Sequence, residues 1–238
     1  MQDLNELIVG IAAAEIDTPS LGVTDQVLAS HKVAPKPIRI DMNAQMDCCN
    51  VYYSLVDESY YFVLALKQEA EQWRVNWAYI EPHVRVRLII QSSSITPDKI
   101  SSFVGLNPTQ SYLQGEKRNK SVNSVYRQHG WAFELDKDTP ASLEQKLDKL
   151  ISVIGENRES LRTLGESANI RIMVWYDGYK DWMGGVSLSA EQMALLGEIG
   201  AGLEIDIHAS GPDWPDPERL GVSRISARFG ADALELMR

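Results

Sequence analysis

The sequence has almost no cysteine. Of 238 residues only Cys48 and Cys49 are cysteines, and they are neighbours. Adjacent cysteines rarely reach disulfide geometry without strain, and no third thiol completes a soft-metal site. They are read as ordinary strand or turn residues of a protein kept in a reducing compartment. Histidine is as sparse: His31, His83, His129 and His208 make no i, i+4 pair and no His-Glu-x-x-His arrangement, so no metal site is expected. No apolar stretch approaches the roughly 18 residues of a membrane span. The apolar run Leu7 to Ala14 follows Asp3 and Glu6, where a secretory signal carries positive charge. The expectation is a cytoplasmic chain without membrane contact.

Positive charge is also short. Twenty-three basic residues face thirty-three acidic ones, a net charge of −10. Nucleic-acid binding draws on neutralised phosphates and released counterions, so a nucleic-acid partner is not expected. A basic protein or a small molecule suits the charge better. The motifs of catalysis are missing too. There is no Gly-x-Ser-x-Gly elbow, and Ser92-Ser93-Ser94 ahead of a helix reads as capping and loop chemistry. Gly184-Gly185 lacks the lysine and helix of a phosphate-cradling loop. No catalytic residue and no cofactor is assigned.

What is present is a globular composition, 44% hydrophobic and 24% charged. Leu4, Leu7, Ile8, Ile11 and Ala12 follow the spacing of an amphipathic helix, and a weaker helix is expected from Thr24 to His31. The period then switches to two. Ile38–Met42, Val51–Val56, Tyr60–Leu66 and Trp73–Tyr79 read as a four-strand antiparallel meander. In its last strand Trp73, Val75, Trp77 and Tyr79 form one aromatic stripe opposite Arg74, Asn76 and Ala78.

After Glu81-Pro82 a strand is expected with Val84, Val86, Leu88 and Ile90 on one face and Arg85 and Arg87 on the other. Thr96-Pro97-Asp98 supplies a capping hydroxyl, an N1 proline and a helix-start acid; that helix stops at Gly105. A polar loop runs from Gly115 to Gly130, and Trp131, Phe133 and Leu135 alternate as a strand. Thr139-Pro140 opens the longest helix, with Leu143, Leu147, Leu150, Ile151 and Ile154 as its stripe. Ile170 to Tyr176, a helix from Ser189, and Leu203 to Ile207 complete the pattern.

The expected fold is α+β: antiparallel or mixed sheets with helices packed on one side, preceded by an N-terminal helix and β-meander. The domains are expected at 1–83, 84–209 and 210–238, the last a proline-rich acidic connector with a short helix, docked by Trp214 and Phe229 if at all.

The runs Ile95-Thr96-Pro97-Asp98-Lys99-Ile100 and Gly105-Leu106-Asn107-Pro108-Thr109, then Gly115, Gly130-Trp131-Ala132-Phe133-Glu134 and Leu203-Glu204-Ile205-Asp206-Ile207, resemble a bacterial family. That family is the domain of unknown function numbered four-two-seven-nine. The resemblance covers roughly Val84 to Ala209. It implies a fold and a bacterial origin and carries over no catalytic residue.

Two features are candidates for binding. The loop carries Lys117, Arg118, Lys120 and Arg127 against Glu116 alone, an anion or acidic-partner site or simply a solvated loop. Glu204, Asp206 and His208, with Tyr176, Asp177 and Tyr179 near them in pattern, are either an acid–base rim or a solvent-facing sheet surface. Trp131 and Trp175 are candidate ligand contacts, with core packing as the alternative for Trp131. The function expected is a non-enzymatic protein-interaction module, in its sharpest form an immunity protein neutralising a basic toxin. The alternative is a small-molecule or anion-binding domain, conceivably a hydrolase, with its site at the domain junction.

Overall fold

The computed structural model describes residues 4–43, 47–119 and 122–215. Two compact units share the chain: one drawn from Met1–Glu81, Gly178–Met183 and Ala209–Arg238, the other from Pro82–Asp177 and Gly184–His208. The fold is α+β, with N-terminal helices ahead of a strand meander, and with antiparallel and mixed sheets accompanied by helices. Among the described residues no single helix is long and apolar enough to cross a membrane.

In the first unit, α1 (Leu4–Asp17) and α2 (Gly22–Ser30) precede β1 (Arg39–Asn43), β2 (Cys48–Ser54), β3 (Tyr61–Glu69) and β4 (Gln72–Glu81). The four strands pair antiparallel in sequence order. Ile8 and Ala12 of α1 and Val27 of α2 join Phe62, Leu64 and Leu66 of β3 in one buried cluster. The aromatic stripe of β4 does not stay on one face. A register shift places Ala65 opposite Trp77 but Leu66 opposite Val75, leaving Asn76 as the extra residue of a bulge. Trp73 and Val75 therefore pack on the helix-side cluster, while Trp77 and Tyr79 join Tyr52, Tyr61 and Val63 on the reverse face.

The start of the expected connector docks. Trp214 packs against the same core, its ring centroid 5.3 Å from that of Tyr179 and its backbone N–H donating to Asp181. Gly211, at φ 109°, lies so close to Tyr60 and Tyr179 that a Cβ would fall 2.2 Å from the Tyr60 hydroxyl and 2.6 Å from the Tyr179 ring. Phe229 lies outside the described residues.

The second unit centres on a five-stranded sheet of order β11-β10-β5-β9-β6. Its strands are β5 (His83–Ser92), β6 (Gln110–Tyr112), β9 (His129–Glu134), β10 (Asn169–Tyr179) and β11 (Gly202–Ser210). The β5–β10, β5–β9 and β6–β9 pairs are antiparallel. Helices α3 (Pro97–Val104), α4 (Leu143–Gly155), α5 (Arg158–Gly165) and α6 (Ala190–Glu198) complete the unit. Ile100 and Val104 of α3, Leu147, Leu150 and Ile154 of α4 and Leu161 and Leu164 of α5 are buried, as are Val84, Val86, Leu88 and Ile90 of β5.

Three local expectations change. Thr96 precedes α3, but its hydroxyl makes no cap bond; the proline at N1 and Gly105 in the left-handed region define that helix. Thr139-Pro140 does not open α4, whose cap is Ser142 accepting from the Gln145 N–H, and at 13 residues α4 is one shorter than α1. The polar loop folds into a hairpin of β7 (Lys117–Asn119) and β8 (Val122–Val125). No alternating apolar pattern announces it, because none of its described side chains is buried and its pairing rests on backbone hydrogen bonds.

Trp131 is fully buried and donates its indole N–H to Ser101 Oγ at 3.0 Å. Trp131→Ala is expected to cost about 3–5 kcal/mol in urea unfolding, by lost packing and a residual cavity. Trp131→Phe should cost less, and a loss under about 1 kcal/mol for the alanine variant would place the ring outside the core.

Candidate functional site

The face of the sheet opposite the buried one carries the polar chemistry. Alternation sends Arg85, Arg87 and Gln91 of β5 to it. The register sets Arg87 opposite Glu134 of β9 and Arg85 opposite Trp175 of β10. Glu134, with its side chain only 5% exposed, takes hydrogen bonds from Arg85 Nε at 2.8 Å and Nη2 at 3.3 Å, and from Arg87 Nη2 at 2.6 Å and Nε at 3.2 Å. Burial pushes its carboxyl up, but the two guanidiniums outweigh burial and hold it below the ordinary value. Each guanidinium carbon also sits 5.1 Å from the Trp175 ring centroid, so both cations stack against one indole.

A second chain of contacts crosses the same face. Arg171 Nη1 lies 3.2 Å from Glu204, and Arg171 Nη2 donates to Gln91 at 3.0 Å. Gln91 Nε2 donates to the Tyr112 hydroxyl at 2.8 Å. The Tyr112 ring stacks on Tyr126 at 3.6 Å, and Arg118 lies 5.5 Å from the Tyr126 centroid. Tyr112 lies flat across Gly130, where a Cβ would come within 2.0 Å of its ring. Only glycine leaves that room.

Of the residues expected from sequence, Trp175 stands half-buried in the first contact set and Arg118 ends the second. Lys117 and Arg127 are exposed on or beside the hairpin, and Lys120 lies outside the described residues. Trp131 is in the core. Asp206 is on β11, 3.2 Å from His208. The acid–base rim does not assemble. Asp177 lies 4.0 Å from His83, Tyr176 is on the buried face, and Tyr179 belongs to the first unit's core. Sequence pattern alone does not reveal the roles of Arg85, Arg87, Glu134, Arg171, Gln91 and Tyr112. The signal was the Arg85/Arg87 alternation, which names a face but not the cross-strand carboxylate.

A family model described as Domain of unknown function (DUF4279) matches residues 82–210, just over half of the chain. The chain belongs to this family. It matches no curated protein and no solved structure. The DUF4279 segment contains the whole polar face, and its description names no activity, so chemistry has to be read from side chains.

Within the described residues no group of three or more His, Cys, Asp and Glu is placed to hold a metal ion. Cys48 and Cys49 are free thiols of β2, and burial pushes Cys49 up to about 12, which leaves it a thiol at neutral pH. The buried ionisable group that stands out in the DUF4279 segment is Lys146 of α4, 5% exposed. Its Nζ donates to the backbone carbonyls of Val84, Asp136 and Lys137 at 2.5, 3.3 and 3.4 Å. An ammonium has three donors, and all three are used. Lys146 is a clamp between α4, the start of β5 and the turn after β9. The enclosed space beside it, about 10 Å³, has room for one water.

Burial lowers the Lys146 ammonium to about 8 from an ordinary 10.5. Between those values the unfolded chain binds the proton more tightly than the folded one, so this group makes stability rise with pH through that window and fall on acidification toward pH 8. The difference in unfolding free energy between wild type and Lys146→Met, followed by urea titration, should shift in favour of wild type by about 2–3 kcal/mol between pH 8 and 10.5. A flat difference would mean the ammonium is solvated.

Proposed function

We propose that this chain is a non-enzymatic protein-interaction module that takes its partner on the polar sheet face around Trp175. The observation that carries this is the half-buried indole stacked by two guanidiniums that one carboxylate holds in place. Trp, Tyr and Arg dominate the energetics of protein interfaces. Side chains already locked by ion pairs lose little freedom when a partner arrives.

The partner put forward is a basic protein. Residues 1–81 hold twelve acidic and five basic residues, while residues 82–210 hold sixteen and fourteen. Most of the negative charge thus lies ahead of the DUF4279 segment, where it steers a positive protein toward the chain. In its sharpest form the chain is a cytoplasmic bacterial immunity protein that neutralises a basic toxin. A toxin gene beside its own gene is the arrangement that fits this reading.

An open groove of about 610 Å³ lined by Arg85, Arg87, Thr109, Gln110, Lys137 and Thr139 favours a second reading, a small-molecule or anion site. Against it, both arginines are engaged by Glu134, and Asp136 and Asp138 line the same groove.

The test is capture from host lysate by the tagged chain at low and high salt, beside Trp175→Ala. A basic protein should be recovered at low salt and released as screening rises, and the variant should bind it at least about tenfold more weakly. Undiminished capture by Trp175→Ala would remove this face from the interface; salt-independent capture would remove the electrostatic argument.

A further inference from the structure

We propose that the base of the β7–β8 hairpin, at Lys117, Arg118 and Arg127 beyond the β6 edge of the sheet, is a docking site for an acidic segment of a partner protein, a contact separate from Trp175 and opposite in sign to the acidic N-terminal region. The other described arginines of the second unit (Arg85, Arg87, Arg158, Arg162 and Arg171) each lie between 2.6 and 3.6 Å from a carboxylate. Lys117, Arg118 and Arg127 are exposed and have no carboxylate within 4.0 Å among the described residues. The acid that directly precedes them in sequence, Glu116, turns its carboxylate to the backbone N–H of Leu113 at 2.9 Å. In a chain of net charge −10, the base of this hairpin concentrates cations without a carboxylate partner among the described residues.

The cations stand on a fixed base. Tyr126 is sandwiched between Tyr112 at 3.6 Å and Arg118 at 5.5 Å, and Tyr112 is pinned by Gln91 and by its contact with Gly130. Backbone bonds from Gly115 to Tyr126 and from Tyr126 to Glu116, each 2.9 Å, close the hairpin's base. Preorganised cations bind a carboxylate with less loss of freedom than those on a mobile loop.

Apolar surface decides between a protein and a nucleic acid. Leu113 and Val125, 44% and 49% exposed, flank the cations. A phosphate backbone has no use for them, and three cations release few counterions. A peptide with carboxylates and an interposed apolar side chain satisfies both sets.

The probe is a short labelled peptide of glutamates interrupted by leucine, read by fluorescence anisotropy on the full chain. Its controls are the matching lysine peptide, single-stranded oligothymidylate and competing inorganic phosphate. The glutamate peptide should bind, weaken as salt rises, and bind at least about tenfold more weakly to Lys117→Glu/Arg118→Glu/Arg127→Glu. Arg158→Glu/Arg162→Glu and Trp175→Ala should leave it unchanged, so that failure of this site and failure of the Trp175 face are told apart. A glutamine triple at the same three positions serves if the charge reversal does not fold. Equal binding by the triple variant, preference for oligothymidylate, or full displacement by millimolar phosphate would each overturn the proposal.

Discussion

One carboxylate organises the polar face. Glu134 is almost out of solvent, and a lone carboxylate there would carry an uncompensated desolvation penalty of several kcal/mol. Arg85 and Arg87 supply N–H donors on two sides, and the same two guanidiniums then have their flat faces free to lie against Trp175. The arrangement exists because β5 alternates strictly. Val84, Val86, Leu88 and Ile90 build the core on one side, and Arg85 and Arg87 project from the other with rigid backbone beneath them. Core and polar face are two sides of one strand.

The first unit shows what happens when strict alternation is interrupted. The bulge at Asn76 divides the β4 aromatics between two faces, so that Trp73 and Val75 close the helix-side core while Trp77 and Tyr79 complete a tyrosine-rich cluster on the reverse. The β3–β4 turn puts Ala70 and Glu71 both at positive φ, the twist a two-residue hairpin requires, without a glycine at either position.

These two units also mark what was legible in sequence. The meander, the β5 alternation and the α+β class follow from periods of two and 3.6, which single side chains report directly. The Asn76 bulge does not, since it is a property of pairing between two strands. The β7–β8 hairpin hid for the same reason: an exposed hairpin needs no apolar stripe. At α4 the sequence points to Thr139-Pro140, but the helix starts after Ser142, whose hydroxyl accepts from the Gln145 N–H. Of the candidate site, Trp175 and Arg118 were visible as residue types. Glu134 closes the Gly130-Trp131-Ala132-Phe133-Glu134 run, yet its role depends on the register that sets it against Arg87. A polar residue's partner across a sheet is not encoded at any fixed spacing.

The DUF4279 segment thus presents a preorganised aromatic–guanidinium surface, with sixteen acidic and fourteen basic residues of its own and a more acidic region ahead of it in the chain. The proposed role in recognition rests on groups that hold one another in place. Hydroxyl-radical footprinting of the chain alone and with its captured partner tests that claim most directly. The account predicts that the Trp175 side chain is oxidised in the free chain and protected in the complex, while buried Trp131 is unreactive in both. Equal oxidation of Trp175 in the two states would contradict it.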